Sequence, residues 1–239
     1  MLFSTIIHSK AVKKMNEDIY FAIIGDIISS KKITDRNKIQ KELKDVMAGI
    51  NRQYADEIAS DFVITLGDEF QGLLKSATLL LEILDRIKFE LEPIEIRFGI
   101  GIGRIETEIN RKSSVGADGP AYWCARRAIN IIHSNNDYNI SKVAVEIENE
   151  KFADVVNLIN ESLHVCDYME KHWRKTQKTL IKESVLRFGH DTKIPQKELA
   201  VLLNTSAPAL NLRIQSSGYY NYLRTKKSIC DVLQKIGNE

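Results

Sequence analysis

Cysteine, proline and long apolar runs are all scarce in this chain of 239 residues. Its three cysteines, Cys124, Cys166 and Cys230, are far apart and odd in number, with no C-x-x-C pair. That pattern excludes a disulfide framework and a cysteine-based zinc site, and leaves reduced, buried thiols as the expectation. Only four prolines are present, so no Pro-rich linker separates the parts of the chain. No internal repeat or low-complexity tract interrupts it. No apolar run approaches the roughly 20 residues that span a bilayer, so no membrane partner is expected. The opening "MLFSTII" is apolar but has no preceding basic region and no clear small-residue cleavage site, which argues against a secretory signal and for a cytoplasmic protein. Residues 1–18 read as an extension outside the fold.

Charge is balanced overall, at +2, but unevenly distributed. Residues 168–239 carry 13 Lys and Arg against 6 Asp and Glu, while residues 1–167 carry 21 against 26. A basic C-terminal part on an acidic body predicts an anionic partner for the former.

The apolar pattern predicts an α+β fold. "YFAIIGDI" is a continuous apolar run, as a strand covered on both faces would be. Ile39, Leu43, Met47 and Ile50 then recur at helical spacing, with Thr34 as the expected N-cap. "DFVITL" and "EFQGLL" flank Gly67-Asp68 as a hairpin. A helix follows, with Ser76 as cap and Pro93 as stop, then the strand "IEIRFGIGIGRI", whose glycines signal close backbone approach or a bend. A loop leads to a helix with Pro120 in its first turn, and then to the strand "SKVAVEIEN". The first six elements, β-α-β-β-α-β, form a ferredoxin-like pattern with two helices on one face of an antiparallel sheet. From Lys151 onward the chain reads as almost wholly helical. The expected division is a sheet domain over 19–165 and a helical domain over 166–239.

In a split β-α-β sheet the first strand is central. Asp26 ends that strand and Asp68 lies in the hairpin turn, so both carboxylates can reach one divalent ion. Mg²⁺ suits such a pair, because it takes one or two protein carboxylates and completes its shell with water and phosphate oxygens. Ser29, Ser30 and Lys31 follow with hydroxyls, backbone N–H groups and an ammonium for phosphates. Glu69 reads as an outward-pointing neighbour.

Several of these motifs resemble known families. Gly67-Asp68-Glu69-Phe70 resembles the core of the GGDEF diguanylate cyclases. Asp26-Ile27, the hairpin Asp68, the strand Arg97-Phe98-Gly99-Ile100-Gly101-Ile102-Gly103 and the helix from Gly119 to Arg127 resemble the layout of class III nucleotidyl cyclases. That resemblance implies Mg²⁺ with a nucleotide, a transition-state arginine at Arg127 with Arg126 beside it, and a homodimer of facing subunits. Trp123 stands where those cyclases orient the ribose with asparagine, so the metal and triphosphate half of that layout is matched better than the ribose half. "GDIISSKKITDR", "ITLGDEFQGLL", "IRFGIGIG" and "GADGPAYWCARRAI", with the helical C-terminal part, are together similar to the SatD family of bacterial proteins.

The helical part carries helix-turn-helix spacing from Gln196 to Ile214. Asn204 sits in the turn, where left-handed geometry favours Gly or Asn, and Ser206 caps the second helix ahead of Pro208. Leu210 and Ile214 point inward. Asn211, Arg213 and Gln215 are then the candidates for reading base edges, and Lys226 and Lys227 for holding phosphates of duplex DNA. "GYYNY" is expected to form a wing or a dimer contact. These readings predict a nucleotide- and metal-responsive DNA-binding regulator. The alternative is a catalytic nucleotidyl cyclase or nucleotidyltransferase that uses the two aspartates and a divalent metal.

Overall fold

The computed structural model describes residues 18–30, 35–65, 67–134 and 140–239. Their fold is α+β, built on one five-stranded sheet. The strands are β1 (Tyr20–Ile27), β2 (Ile58–Ile64), β3 (Glu69–Leu74), β4 (Ile96–Gly103) and β5 (Val143–Ile147). They lie in the order β2-β3-β1-β4-β5, so the apolar β1 is central, as its composition predicts. β1 runs antiparallel to both β3 and β4, but β5 runs parallel to β4. The sheet is therefore mixed rather than antiparallel throughout.

Alternation along the strands divides the side chains between two faces. Phe21, Ile23, Phe70, Phe98 and Ile100 point to one face. There they meet α1 (Arg36–Gln53) and α2 (Leu80–Glu90), joined by buried residues of α4 (Ala153–His172) and α8 (Tyr219–Gly237). Ala22, Ile24 and Leu73 point to the other, where Ala121, Ala125 and Ile129 of α3 (Pro120–Ser134) cover them. The glycines of β4 explain how α3 lies so close. A Cβ on Gly101 would sit 1.9 Å from the Ala121 carbonyl oxygen, and one on Gly99 would sit 2.3 Å from that of Ala125. The glycine-rich strand is thus a bed for a helix.

The first helix is capped one residue later than expected, by Asp35, which accepts from the Lys38 N–H at 3.0 Å; Thr34 lies outside the described residues. Ser76 accepts from Thr78 instead of capping α2, which begins at Leu80.

The remaining helices are α5 (Lys175–Phe188), α6 (Gln196–Leu202) and α7 (Ala207–Ser217). The boundary expected after residue 165 falls inside α4. Val156, Ile159 and Leu163 of that helix enter the sheet's core, while Cys166 enters a second core with Leu180, Leu199, Leu210 and Tyr222. α8 is shared in the same way, through Ile229 and Leu233 on one side and Tyr222 and Leu223 on the other. Tyr219 to Tyr222 form no wing. They are the first turn of α8, with Tyr219 and Tyr222 fully buried.

A buried ionic cluster ties these layers together. Asp85 of α2 accepts from Lys226 of α8, from Lys88 at 2.8 Å, from His190 Nε2 at 2.9 Å and from the Tyr222 hydroxyl at 2.9 Å. Burial pushes the Asp85 carboxyl up, but the ammonium groups of Lys226 and Lys88 outweigh it and hold it well below the usual range. Nearby, Lys178 and Lys182 both grip Glu92. Part of the anionic partner expected for the basic C-terminal segment is therefore the acidic body of the same chain.

Asp167 works in the opposite direction. Its Oδ2 accepts the N–H of Lys142 at 2.7 Å and of Val143 at 3.3 Å, fixing the start of β5. Burial, then the neighbouring Glu170, push this carboxyl up to about 7 from an ordinary 3.8. The folded chain therefore keeps a proton that the unfolded chain releases. That contribution is whole below about pH 4 and is lost as pH rises toward 7. The depressed Asp85 titrates below this window. In Asp167→Asn the loss of stability between about pH 5 and pH 8 is expected to be smaller than in the wild type, by on the order of a few kcal/mol. Urea unfolding at the two pH values measures it, and equal losses in both proteins would refute the assignment.

Candidate functional site

The site forms where β1 ends beside the β2–β3 turn. Asp26 pairs in register with Glu69 on β3 and with Arg97 on β4. All three positions share the face of the sheet that α3 covers. The turn brings Asp68 alongside, for the Ile27 N–H donates to the Asp68 carbonyl at 3.2 Å. Burial, followed by the Asp68 charge, raises the Asp26 carboxyl above the usual range, while Arg97 and His133 pull it partway back. The two aspartates read from the sequence are thus neighbours.

Helix α3 adds two groups from above. His133 lies 3.5 Å from Asp26 Oδ2, and Arg97 lies 3.7 Å from the same oxygen. Arg97 also contacts the His133 ring at 2.7 Å. Two turns earlier, Arg126 makes a two-pronged contact with Glu69, one arm at 2.8 Å. That contact, with Glu69's charge and that of Asp26, strengthens the guanidinium's hold on its proton. Glu69 also accepts from the Thr65 hydroxyl at 3.2 Å. The result is two carboxylates, Asp26 and Glu69, facing two guanidiniums and an imidazole at one end of the sheet, with Asp68 in the adjoining turn.

Arg127 is not among them. Its guanidinium turns toward β5, 3.6 Å from Glu146, and donates to Cys124 Sγ at 3.1 Å. Consecutive helical positions point about 100° apart, so only one of the two arginines can face the site, and it is Arg126. Trp123 lies one turn before Arg126, 47% exposed, its indole N–H on Asp118 at 2.7 Å.

Beside Asp68 opens a cavity of about 210 Å³ between the turn and α1. Ile27, Ile39 and Leu43 give it an apolar floor, and Ser30, Arg36 and Gln40 give it polar walls. Gln40 donates to the Gly67 carbonyl at 3.4 Å. Ser29 adopts a left-handed φ of 57°, which turns the chain out of β1 at this point. Lys31 lies outside the described residues.

Among the described residues, no group of three or more His, Cys, Asp or Glu side chains is placed to hold a metal by itself. An ion of the Mg²⁺ type takes only one or two carboxylates from a protein, and Asp26 and Asp68 are the candidates for it beside this turn.

Register and alternation could have found Glu69 and Arg97, because both share Asp26's face. His133 could not be found that way. Its place depends on how α3 lies across the sheet.

The C-terminal candidates divide. α6 and α7 are joined by a short turn in which Asn204 has φ 44°, as that position requires. Ser206 caps α7, and Leu210 and Ile214 are buried. Asn211 and Gln215 are exposed and Arg213 is half-buried on the outward side. Lys227 is exposed, whereas Lys226 is 2% exposed and committed to Asp85. Lys226 therefore cannot hold a DNA phosphate. Tyr222 precedes it by one turn on the buried side of α8, and the same side carries Lys226 inward.

The SatD family model matches residues 20–233, nearly the whole described chain. The chain belongs to the SatD family. The match runs unbroken from β1 into α8, so family membership spans both the sheet and the helices packed on it. No curated protein matches the chain. No helix among the described residues is long and apolar enough to cross a membrane.

Proposed function

We propose that this member of the SatD family binds a nucleotide together with a divalent cation at Asp26 and Asp68, and uses its C-terminal helices to engage DNA in response. The observation that carries the reading is that the Asp68 turn closes onto the end of the central strand, where the Ile27 N–H donates to the Asp68 carbonyl and burial, then the Asp68 charge, raises the Asp26 carboxyl. The order β2-β3-β1-β4 with α1 and α2 on one face supports a ferredoxin-like, cyclase-like description of the sheet. A bound Mg²⁺ would supply charge neutralisation for phosphate oxygens. Asp26 and Asp68 would hold it, and Ser29 and Ser30 lie next to the same edge with hydroxyls for the phosphates. Trp123 leaves the ribose without an orienting amide, which favours binding over cyclisation.

Isothermal calorimetry with ATP and GTP, with and without Mg²⁺, tests the site. Mg²⁺-dependent binding is expected in the wild type and is expected to vanish in Asp26→Asn, whose fold should persist because the residue sits at a strand end. Binding that survives in Asp26→Asn would remove the aspartates from the site. A cyclic product that disappears in Asp68→Ala would instead establish the catalytic alternative.

The output is tested separately. The turn at Asn204 and the outward Asn211, Arg213 and Gln215 support a helix-turn-helix reading. Affinity for duplex DNA should fall as salt rises, because each phosphate contact releases counterions. Lys227→Ala should flatten that slope, and Arg213→Ala should cost roughly 1–3 kcal/mol at one base pair. Fluorescence anisotropy reads both, and affinity indifferent to salt would exclude phosphate contact.

A further inference from the structure

The outer side of α4 carries a line of exposed large apolar side chains. Leu158 is 68% exposed, Val165 59% and Tyr168 51%, and Val155 lies in line with them. Their spacing of three and seven residues makes one continuous ridge along the helix. Beside the ridge, α4 and α8 form a groove with a volume of about 460 Å³, walled on the α8 side by Arg224, Thr225, Ser228 and Val232. Ridge and groove thus lie on a single surface, on the opposite side of the sheet from α3 and Asp26.

We infer that this surface is the interface of a two-fold homodimer, in which the α4 ridge of each copy seats in the α4–α8 groove of the other. Three features point to a second copy. A surface that carries both a ridge and its matching groove is self-complementary, which is what an isologous contact requires. Its charges are self-complementary too. Glu161 lies on the ridge one turn after Leu158, and Arg224 lies on the groove wall. Among the described residues neither has an ion-pair partner; the Arg224 guanidinium donates only to the Tyr220 carbonyl and the Asn221 side chain. A two-fold axis near the middle of α4 brings each Glu161 to the partner's Arg224. The size also suffices. Two adjacent helices about 30 Å long and 8–10 Å apart present a face on the order of 600 Å², close to the roughly 800 Å² per partner of a standard interface.

The dimer does not depend on nucleotide or DNA, so its test is independent of the function proposed above. Sedimentation equilibrium of the full chain at tens of micromolar is expected to give twice the 27.2 kDa chain mass. Leu158→Arg, Glu161→Arg and Arg224→Glu should each weaken the dimer about 100-fold, the scale of a central interface contact. Circular dichroism of these variants should be unchanged, because all three positions are exposed. The combined Glu161→Arg and Arg224→Glu exchange should restore the dimer. A wild-type monomer at that concentration would overturn the proposal and leave the ridge to another occupant, such as residues 1–17 or a different protein. A dimer indifferent to Leu158→Arg would place the contact elsewhere. Single variants that dissociate without rescue in the exchange would refute the pairing of Glu161 with Arg224.

Discussion

Replacing Lys226 with methionine is expected to cost about 3–5 kcal/mol of folding stability, the usual consequence of removing one partner of a buried ion pair. The ammonium of Lys226 contacts Asp85 directly, lies 3.6 Å from Glu170 and sits 4.5 Å over the Tyr222 ring. Methionine fills much of the same volume, so the loss reports charge more than packing. Asp85 would retain Lys88, His190 and the Tyr222 hydroxyl, but its strongest compensation would be gone. Adding Asp85→Asn should recover part of the loss, since a neutral amide at that position is less costly to leave beside methionine. Lys227→Met, one residue on and exposed, is expected to stay within about 0.5 kcal/mol of the wild type. Chemical unfolding of the three variants decides the matter. A Lys226→Met protein within about 1 kcal/mol of the wild type would show that the cluster is not what joins α8 to α2.

Gly101→Ala is expected to destabilise the fold by about 1–3 kcal/mol or more, although it adds a single methyl group. The new Cβ would meet the Ala121 carbonyl oxygen at 1.9 Å and the Ala125 nitrogen at 2.3 Å, and both are backbone atoms that no rotamer change can move aside. Helix α3 must lift from the sheet, and it takes Arg126 and His133 with it. The same substitution should therefore weaken any ligand binding at Asp26 while leaving every site residue chemically intact. Gly49→Ala provides the contrast. Gly49 is inside α1 with nothing within 4 Å of its would-be Cβ, so alanine there should raise stability by up to about 1 kcal/mol. Thermal unfolding compares the two. A Gly101→Ala protein as stable as the wild type would mean that α3 does not need its close seat.

Much of the sheet was legible in the chain itself. A continuous apolar β1 had to be covered on both faces and so had to be central. Gly67 and Asp68 between two short apolar runs required a turn. Those two local facts are enough to place Asp26 beside Asp68. The turn at Asn204 and the cap at Ser206 were legible for a similar reason, because left-handed backbone and an unpaired helix N-terminus restrict residue type locally.

Other features were decided only by packing. The direction of β5, and with it the mixed sheet, depended on α3 crossing the face opposite α1 and α2. The choice of Arg126 over Arg127 was a matter of helix phase, which no count of residues settles until α3 is seated on Gly99 and Gly101. The basic excess after residue 168 read as an offer to an outside anion, yet Lys178, Lys182 and Lys226 spend theirs on Glu92 and Asp85 within the chain. The sequence by itself determined which residues carry charge, where the strands and turns lie, and that the Asp68 turn closes beside the end of the strand that carries Asp26, because each of these follows from short-range periodicity and backbone preference. Only the tertiary structure decided which charges face solvent and which are consumed in holding α8 and α5 to α2 and the segment after it, because a side chain's partner that lies 86 to 141 residues away in sequence is set by how layers pack and not by any pattern within a layer.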